Sequence, residues 1–447
     1  MSQDDQHRHD HPDEPGLPAR LHDAGARGGG RVRLTIPRAL GLGLLLAPIA
    51  AGRAVAQSRP WVELGGQAVG AYEHVDPVPG GDALGEVRVV QPALMLHAGG
   101  VWRLRFTGTL NFEGATMPEG ELAPGNWGEG FIDRRHPHTY FHELILSAGD
   151  LLGHRDGPSS LSLSVGKGFA PFGSDDPMVR PFLRYPANHH LSQILERAVA
   201  IAAYRVGAIT AEAGLFDGDE PERPGQWPRI GGRFGDSWSG RLTGTVAPGA
   251  TLSGSYAHVH SPEHRGGAGT DQEKWHAAAR WEGTAAGHPT YALVEWARTS
   301  EADGFVVLHS LLAEGAWTVG PHRLQYRFER TERPEDERVS RFRTRLPHLE
   351  NSILGVTRWT THTLGYQLAA FRTSGVRIDP LAEVAYSRAT AVGGGLFDVV
   401  GLYGRDHVWS FSLGVRVSAG MSMHRMGRYG AAAEEEGPMV MHDGMMP

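Results

Sequence analysis

The chain has 447 residues with 61 Gly and 29 Pro, 40% of them hydrophobic and only 21% charged, a balance that suits many short strands joined by turns better than helices. Its net charge of −7 offers no basic surface for nucleic acid. The absence of cysteine excludes disulfides, thiolate metal sites and cysteine nucleophiles.

Residues 1–30 are polar and His-rich. Arg31, Arg33 and Arg38 then precede an apolar run over 40–51 and the small-residue site Ala54-Val55-Ala56. A basic region, a short apolar core and an A-x-A site predict a secretory signal peptide cleaved after Ala56. The apolar run is too short to span about 30 Å of hydrocarbon as an anchor. The polar stretch before it reads either as an unusually long leader or as residues upstream of a true start near Val32.

Downstream, no stretch is apolar over the ~18 residues that a membrane helix needs. A closed β-barrel is the other structure that satisfies every backbone group in lipid. Its mark is a series of roughly ten-residue segments alternating apolar and polar. Over 101–113, Trp102, Leu104, Phe106, Leu110 and Phe112 share one face, while Arg103, Arg105, Thr107, Thr109, Asn111 and Glu113 share the other. Over 322–330, Leu324, Tyr326 and Phe328 oppose Arg323, Gln325, Arg327 and Glu329. Over 406–418, Trp409, Phe411, Leu413, Val415 and Val417 oppose Asp406, Ser410, Ser412, Arg416 and Ser418.

Less regular segments lie at 61–72, 86–96, 139–148, 159–168, 197–206, 208–216, 237–246, 250–259, 274–282, 289–298, 305–315, 351–359, 362–371 and 381–388. With the three above they make seventeen. Because bacterial barrels favour even counts, the expected fold is an all-β transmembrane antiparallel β-barrel of about 16 strands, one segment being misread, with 14 or 18 as alternatives. Aromatic residues near segment ends, such as Trp61, Tyr72, Trp275, Trp281 and Trp296, suit interfacial girdles. A soluble β-sandwich would also alternate, but it would bury its aromatics at mid-strand. The expected organisation is a leader over 1–56, the barrel over 57–420 and a tail over 421–447.

Long connections rich in Pro, Gly and charge fall at 114–137, 169–196, 217–236, 261–272 and 331–349. The loop 169–196 holds Asp175, Asp176, Arg180 and Arg184, then His189-His190 and a short apolar stretch. It either folds inward as a constriction or lies outside as a lid. By alternation, Arg103, Arg105, Arg323, Arg327, Arg416, Glu113 and Glu329 line the pore.

The stretch 165–173, Val-Gly-Lys-Gly-Phe-Ala-Pro-Phe-Gly, at the end of a strand, resembles the strand-to-loop stretch of porins of the phosphate-selective O/P type. Residues 213–219, Ala-Gly-Leu-Phe-Asp-Gly-Asp, resemble a strand end of the same group. The resemblance implies a diffusion or solute-selective channel of about 16 strands. Lys167 and Lys274 are the only lysines, so the lysine-rich lumen of that group is missing and arginine has to supply any fixed positive charge.

Two histidine trios, His136, His138 and His142, and His258, His260 and His264, have the equal parity that would gather imidazoles on one strand face. That parity places His142 with Leu144 and Leu146, and His258 with Leu252 and Tyr256, on the outer face, so both trios read as rim residues. The tail holds seven of the eleven methionines. Thioether and imidazole donors at Met421, Met423, His424, Met426, Met439, Met441 and His442 would favour Cu(I), while an idle disordered tail is the plainer alternative.

No G-x-S-x-G, P-loop, dinucleotide-binding or H-E-x-x-H motif occurs, and no catalytic residue is expected. The expected function is a porin-like channel for small solutes or ions in the cell outer membrane, with no required cofactor. Its partners are outer-membrane lipid and the solute, both mature termini are periplasmic, and the protein is a monomer or a trimer. The alternatives are a copper-handling outer-membrane protein and a purely structural or adhesive barrel.

Overall fold

The computed structural model describes residues 60–101, 103–117, 138–340, 343–344, 353–373, 375–394, 396–420 and 425–433. The signal peptide and the tail positions Met421, Met423, His424, Met439, Met441 and His442 lie outside the described residues, as do most of 114–137 and much of the distal half of 331–349.

Sixteen strands in chain order form the wall: β1 Trp61–Asp76, β2 Leu84–Val101, β3 Leu104–Asn111, β4 Phe141–Gly153, β5 Ser159–Gly168, β6 Arg197–Val206, β7 Ile209–Phe216 and β8 Ser237–Ala247. They continue with β9 Ala250–Val259, β10 Gln272–Ala285, β11 His288–Glu301, β12 Val306–Val319, β13 His322–Asp336, β14 Ile353–Leu368, β15 Val376–Val392 and β16 His407–Gly420. Each pairs antiparallel with its neighbours in sequence, and β16 pairs back onto β1, with Gly65 opposite Gly420 and Asp76 opposite Trp409. The sheet is therefore a closed antiparallel barrel, which leaves no open edge.

The seventeen predicted segments become sixteen because 351–359 and 362–371 are one strand, β14. In the sequence the Thr360-Thr361 pair reads as a break between them. Threonine is a strand former, and Thr357, Trp359, Thr361 and Thr363 are all buried, so the inward parity runs straight through.

Alternation sorts the two faces of the wall. Val294, Leu311, Leu324, Leu364, Phe411 and Leu413 are exposed on the outside. Glu295, Glu314, Arg327, Thr361, Ser410 and Ser412 are buried on the inside. A soluble barrel would be arranged the other way round.

Outward aromatics collect near both strand ends. Trp238, Tyr256 and Trp275 form a row with ring centroids 5.2 and 5.1 Å apart, and Tyr386 meets Trp409 at 4.9 Å. At the other end, His288 packs on Trp317 at 5.3 Å and His322 stacks on Tyr366 at 6.0 Å.

The ends of the barrel differ. One carries short turns at 154–158, 207–208, 248–249, 286–287 and 320–321, and both Trp61 and Gly420 lie there. The other carries the long connections, including 169–196 and 217–236.

Candidate functional site

The loop 169–196 settles inside the barrel. Asp175, Asp176, Arg180, Arg184, Phe182, Leu183 and Tyr185 are all buried there. It crosses to the far wall, where the wall reads its backbone. Glu383 on β15 accepts from the Leu183 and Arg184 N–H groups at 2.5 and 3.1 Å, and Glu329 on β13 accepts from Ala187 N–H at 2.6 Å. In the other sense, Arg327 donates to the Arg184 carbonyl at 2.7 Å, Gln325 to Pro181 at 3.0 Å, Gln91 to Leu183 at 3.0 Å and Lys274 to His190 at 2.8 Å.

Side chains add a second set of ties. On β11, Glu295 is fully buried and takes Ser174 at 2.5 Å, Asn188 at 2.7 Å and the Arg180 guanidinium at 3.4 Å, with His276 also 3.4 Å away. Arg184 donates to Ser410 on β16 at 2.6 Å. A buried charge lacking such partners would cost several kcal/mol, so these contacts specify one path for the loop (about 3–5 kcal/mol when a partner is removed).

Several predicted pore-lining residues do face inward. Arg327 and Arg416 are buried and spend their donors on Glu314, Gln91 and loop carbonyls rather than on an open path. Arg323 faces inward and is half-buried near the turn end, 3.3 Å from Thr318, and Arg105 is half-buried on β3. Glu329 serves as the Ala187 acceptor already described. Glu113 is buried but sits on a helical turn, Glu113–Thr116, after β3 rather than on the strand.

Arg103 departs from the expectation. The strand read over 101–113 begins at Leu104, because β2 runs on through Gly99-Gly100 to Val101. Arg103 is left in the turn with φ of 63° and is exposed, donating to the Asp150 carbonyl at 2.6 Å. A glycine pair favours a turn, but extended pairing of β2 overrides that preference here.

His142 also reverses. In the β3–β4 ladder Thr109 faces Glu143 but Leu110 faces Phe141, so His142 is the extra residue of a β-bulge. The bulge turns both His142 and Glu143 inward, and both are fully buried. His142 then bridges the two legs of the loop, with Nδ1 2.5 Å from Glu196 and Nε2 3.4 Å from Asp176.

Beside it, His138 meets Glu113 through Nδ1 at 2.9 Å, and its ring lies 5.1 Å from His142 and 5.6 Å from His189. Burial disfavours a charged His138, but the hydrogen bond and charge of Glu113 outweigh it and raise its pKa above the ordinary imidazole value. Burial likewise disfavours charge on Asp176, yet the hydrogen bond and charge of His142 carry its pKa down to about 2. Glu196 is lowered in the same way against its burial. Both Glu196 oxygens also accept from the Thr139 N–H, at 3.0 and 2.9 Å.

Sequence reasoning misses this acid–imidazole cluster because no period-two rule foresees a bulge. The second trio stays at the rim, where Asp271 holds His260 at 2.7 Å and His258 at 3.4 Å. Among the described residues no group of three or more His, Asp or Glu side chains is placed to hold a metal ion.

The tail supplies another correction. Residues 425–433 do not hang free but lie in the lumen, and Met426 is 1% exposed among Ala93, Met95, Phe169, Met178 and Tyr185. Met426 is therefore a packing residue. A chain of Met, Gly, Arg, Tyr and Ala carries no periodicity, so nothing local announces where it docks.

No family model matches the chain, and no curated protein matches its sequence. Its fold resembles solved barrels. The anion-selective porin from Comamonas acidovorans aligns at 12% identity over 80% of this chain and 100% of that one, with a TM-score of 0.48. Outer-membrane expressed OmpT of Vibrio cholerae aligns at 12% identity over 82% and 100%, with a TM-score of 0.45. Pseudomonas aeruginosa OccK3 (OpdO) aligns at 12% identity over 80% and 96%, with a TM-score of 0.36.

Proposed function

We propose that the chain is a porin-like channel of a bacterial outer membrane that passes small solutes or ions, with loop 169–196 governing access. The observation that carries this reading is the inverted wall, closed on itself, with Val294, Leu311 and Leu413 exposed outside and Glu295, Arg327 and Ser412 inside. The outward aromatics near both strand ends suit the two membrane interfaces. Outer-membrane barrels keep short turns on the periplasmic side. On that rule both ends of this barrel, Trp61 and Gly420, face the periplasm and the long connections face out.

Polar side chains run along much of the inner wall, from Ser147, Ser162 and Ser164 on β4 and β5 to Thr357, Thr361 and Thr363 on β14, with apolar patches between them such as Val199, Ile201 and Phe216 on β6 and β7. Such a surface suits a water-filled path. Arg327 is paired with Glu314, and Arg416 is held by the Gln91 amide and the Phe182 carbonyl, so ion selectivity is expected to be weak and to rest on residues nearer the turn end, Arg323 among them. The purified protein in planar bilayers should give single-channel steps, and Arg323→Ala should move the reversal potential in a salt gradient toward cations. A correctly folded protein that never conducts would overturn the reading. No observation among the described residues favours copper handling.

A further inference from the structure

Residues 425–433 follow the last strand and occupy the part of the lumen that loop 169–196 leaves open. The loop is tied mainly to β9, β11, β12, β13, β15, β16 and β2. The segment touches mainly the arc from β4 to β8, with Met426 also packed against Ala93 and Met95 of β2.

Its contacts are specific. The Arg428 guanidinium meets Glu212 on β7 at 3.2 Å and Thr243 on β8 at 2.9 Å. Arg241 on β8 grips the same Glu212 with two bonds of 2.6 and 2.7 Å and reaches past it to the Gly427 carbonyl at 2.8 Å. The Tyr429 hydroxyl donates to Glu143 on β4 at 2.7 Å and accepts from Phe169 N–H at 3.1 Å. Ala431 N–H donates to Ser162 on β5 at 2.7 Å, and Arg425 meets Asp175 of the loop at 2.6 Å.

Two glycines sit where the approach is closest. Gly427 has φ of 80° and a Cβ there would lie 3.1 Å from Phe169, while Gly430 has φ of 57° and a Cβ there would collide with the Ser162 hydroxyl. Only glycine suits both the backbone and the gap.

The wall beneath the segment has hydroxyls and charged groups: Ser147 paired with Ser164 at 2.8 Å, Ser162, Thr243, Glu143, Glu212 and Arg241. Water can satisfy these groups when the segment leaves. Apolar contacts lie between them, Tyr429 on Ile145, Val199, Ile201 and Phe216 and Ala431 on Ala203, so leaving also exposes some apolar wall. The segment is also short, and its apolar contacts are confined to Met426, Tyr429, Ala431 and Ala432, so it can open without unfolding the barrel.

We infer that the inner face of β4–β8 is a binding site for this chain's own residues 425–433, which act as a removable plug that lowers passage through the channel. The inference rests on the channel reading above, and the test separates the two. Single-channel conductance is compared for the wild type, the Arg428→Ala/Tyr429→Phe double variant and Gly430→Val, none of which alters a wall residue. The chain has no cysteine, so Ala431→Cys in each background reports seating through a water-soluble maleimide, with exposed Ala247→Cys as the accessible control.

The plug predicts that both variants conduct more than the wild type and that the Ala431→Cys thiol labels faster in both, about tenfold in the double variant, where one charge-assisted hydrogen bond is lost. Equal conductance in all three channels overturns the plug and leaves the channel standing. If no protein conducts, the channel reading fails. Labelling then decides the seating alone, slow in the wild type and fast in the variants supporting it, and wild-type labelling as fast as the Ala247→Cys control overturning it.

Discussion

Two of the pieces of chain that enter this barrel, loop 169–196 and segment 425–433, are held in different ways. Loop 169–196 is tethered at both ends and presents mainly backbone groups, which Glu329, Glu383, Arg327, Gln325 and Gln91 read from the wall. Segment 425–433 follows the last strand and presents mainly side chains, chiefly Arg428 and Tyr429, with the Gly427 carbonyl and Ala431 N–H beside them. A backbone-docked loop has its path set by many wall residues together, whereas a side-chain-docked segment can be undone by one substitution in itself. The first is built as scaffold and the second as a removable part.

The strongest way to break that contrast is to attack the loop from the wall. Glu295→Ala removes the acceptor shared by Ser174, Asn188 and Arg180 and leaves Arg180 buried with less compensation. The expected cost is about 3–5 kcal/mol in denaturant unfolding of the whole barrel. If only the loop loosened while the barrel midpoint held, the loop would not be scaffold.

Arg428→Ala is expected to cost about 1.5–3 kcal/mol, and only in the docking of 425–433. Hydrogen exchange should show faster exchange at Gly427 and Ala431 with an unchanged barrel midpoint. A fall in that midpoint would make the segment part of the scaffold after all.

Acid sharpens the comparison from the loop side. The pKa of Asp176 falls from its ordinary 3.8 to about 2 in the folded chain, so its contribution is fully present above pH 3.8 and is lost as pH falls through 2. That contribution is about 2 kcal/mol. Exchange protection across 169–196 should hold from pH 7 to 4 and decline below it, and Asp176→Asn should erase that step. A wild-type decline beginning near pH 6 would point to another group.

The smallest effect is expected at Arg103, exposed in the β2–β3 turn away from both insertions. Arg103→Ala should change stability by less than about 0.5 kcal/mol and leave conductance unaltered. A large change in ion selectivity would return it to the pore.

Much of the wall was legible in the sequence. The segments 322–330 and 406–418 show the same faces in the structure as in their alternation, because a strand's side chains switch sides at every residue whatever it pairs with. What lies inside the wall was not legible in this way. His142 turns inward because the partner strand β3 leaves it unmatched, which is a property of two strands and invisible in one. Arg103 loses its place on the inner face because β2 pairs beyond its glycines.

By itself, then, the chain determined a barrel of alternating strands, since period two is local chemistry. It also marked 169–196 as the distinctive loop. Only the tertiary structure decided that this loop goes in, because its backbone needs the carboxylates and arginines of strands more than a hundred residues away, such as Glu329 and Glu383. The same holds for the tail. Arg428 and Tyr429 look like loop residues until the closed wall brings Glu212 and Glu143, from two different strands, within reach of one short segment.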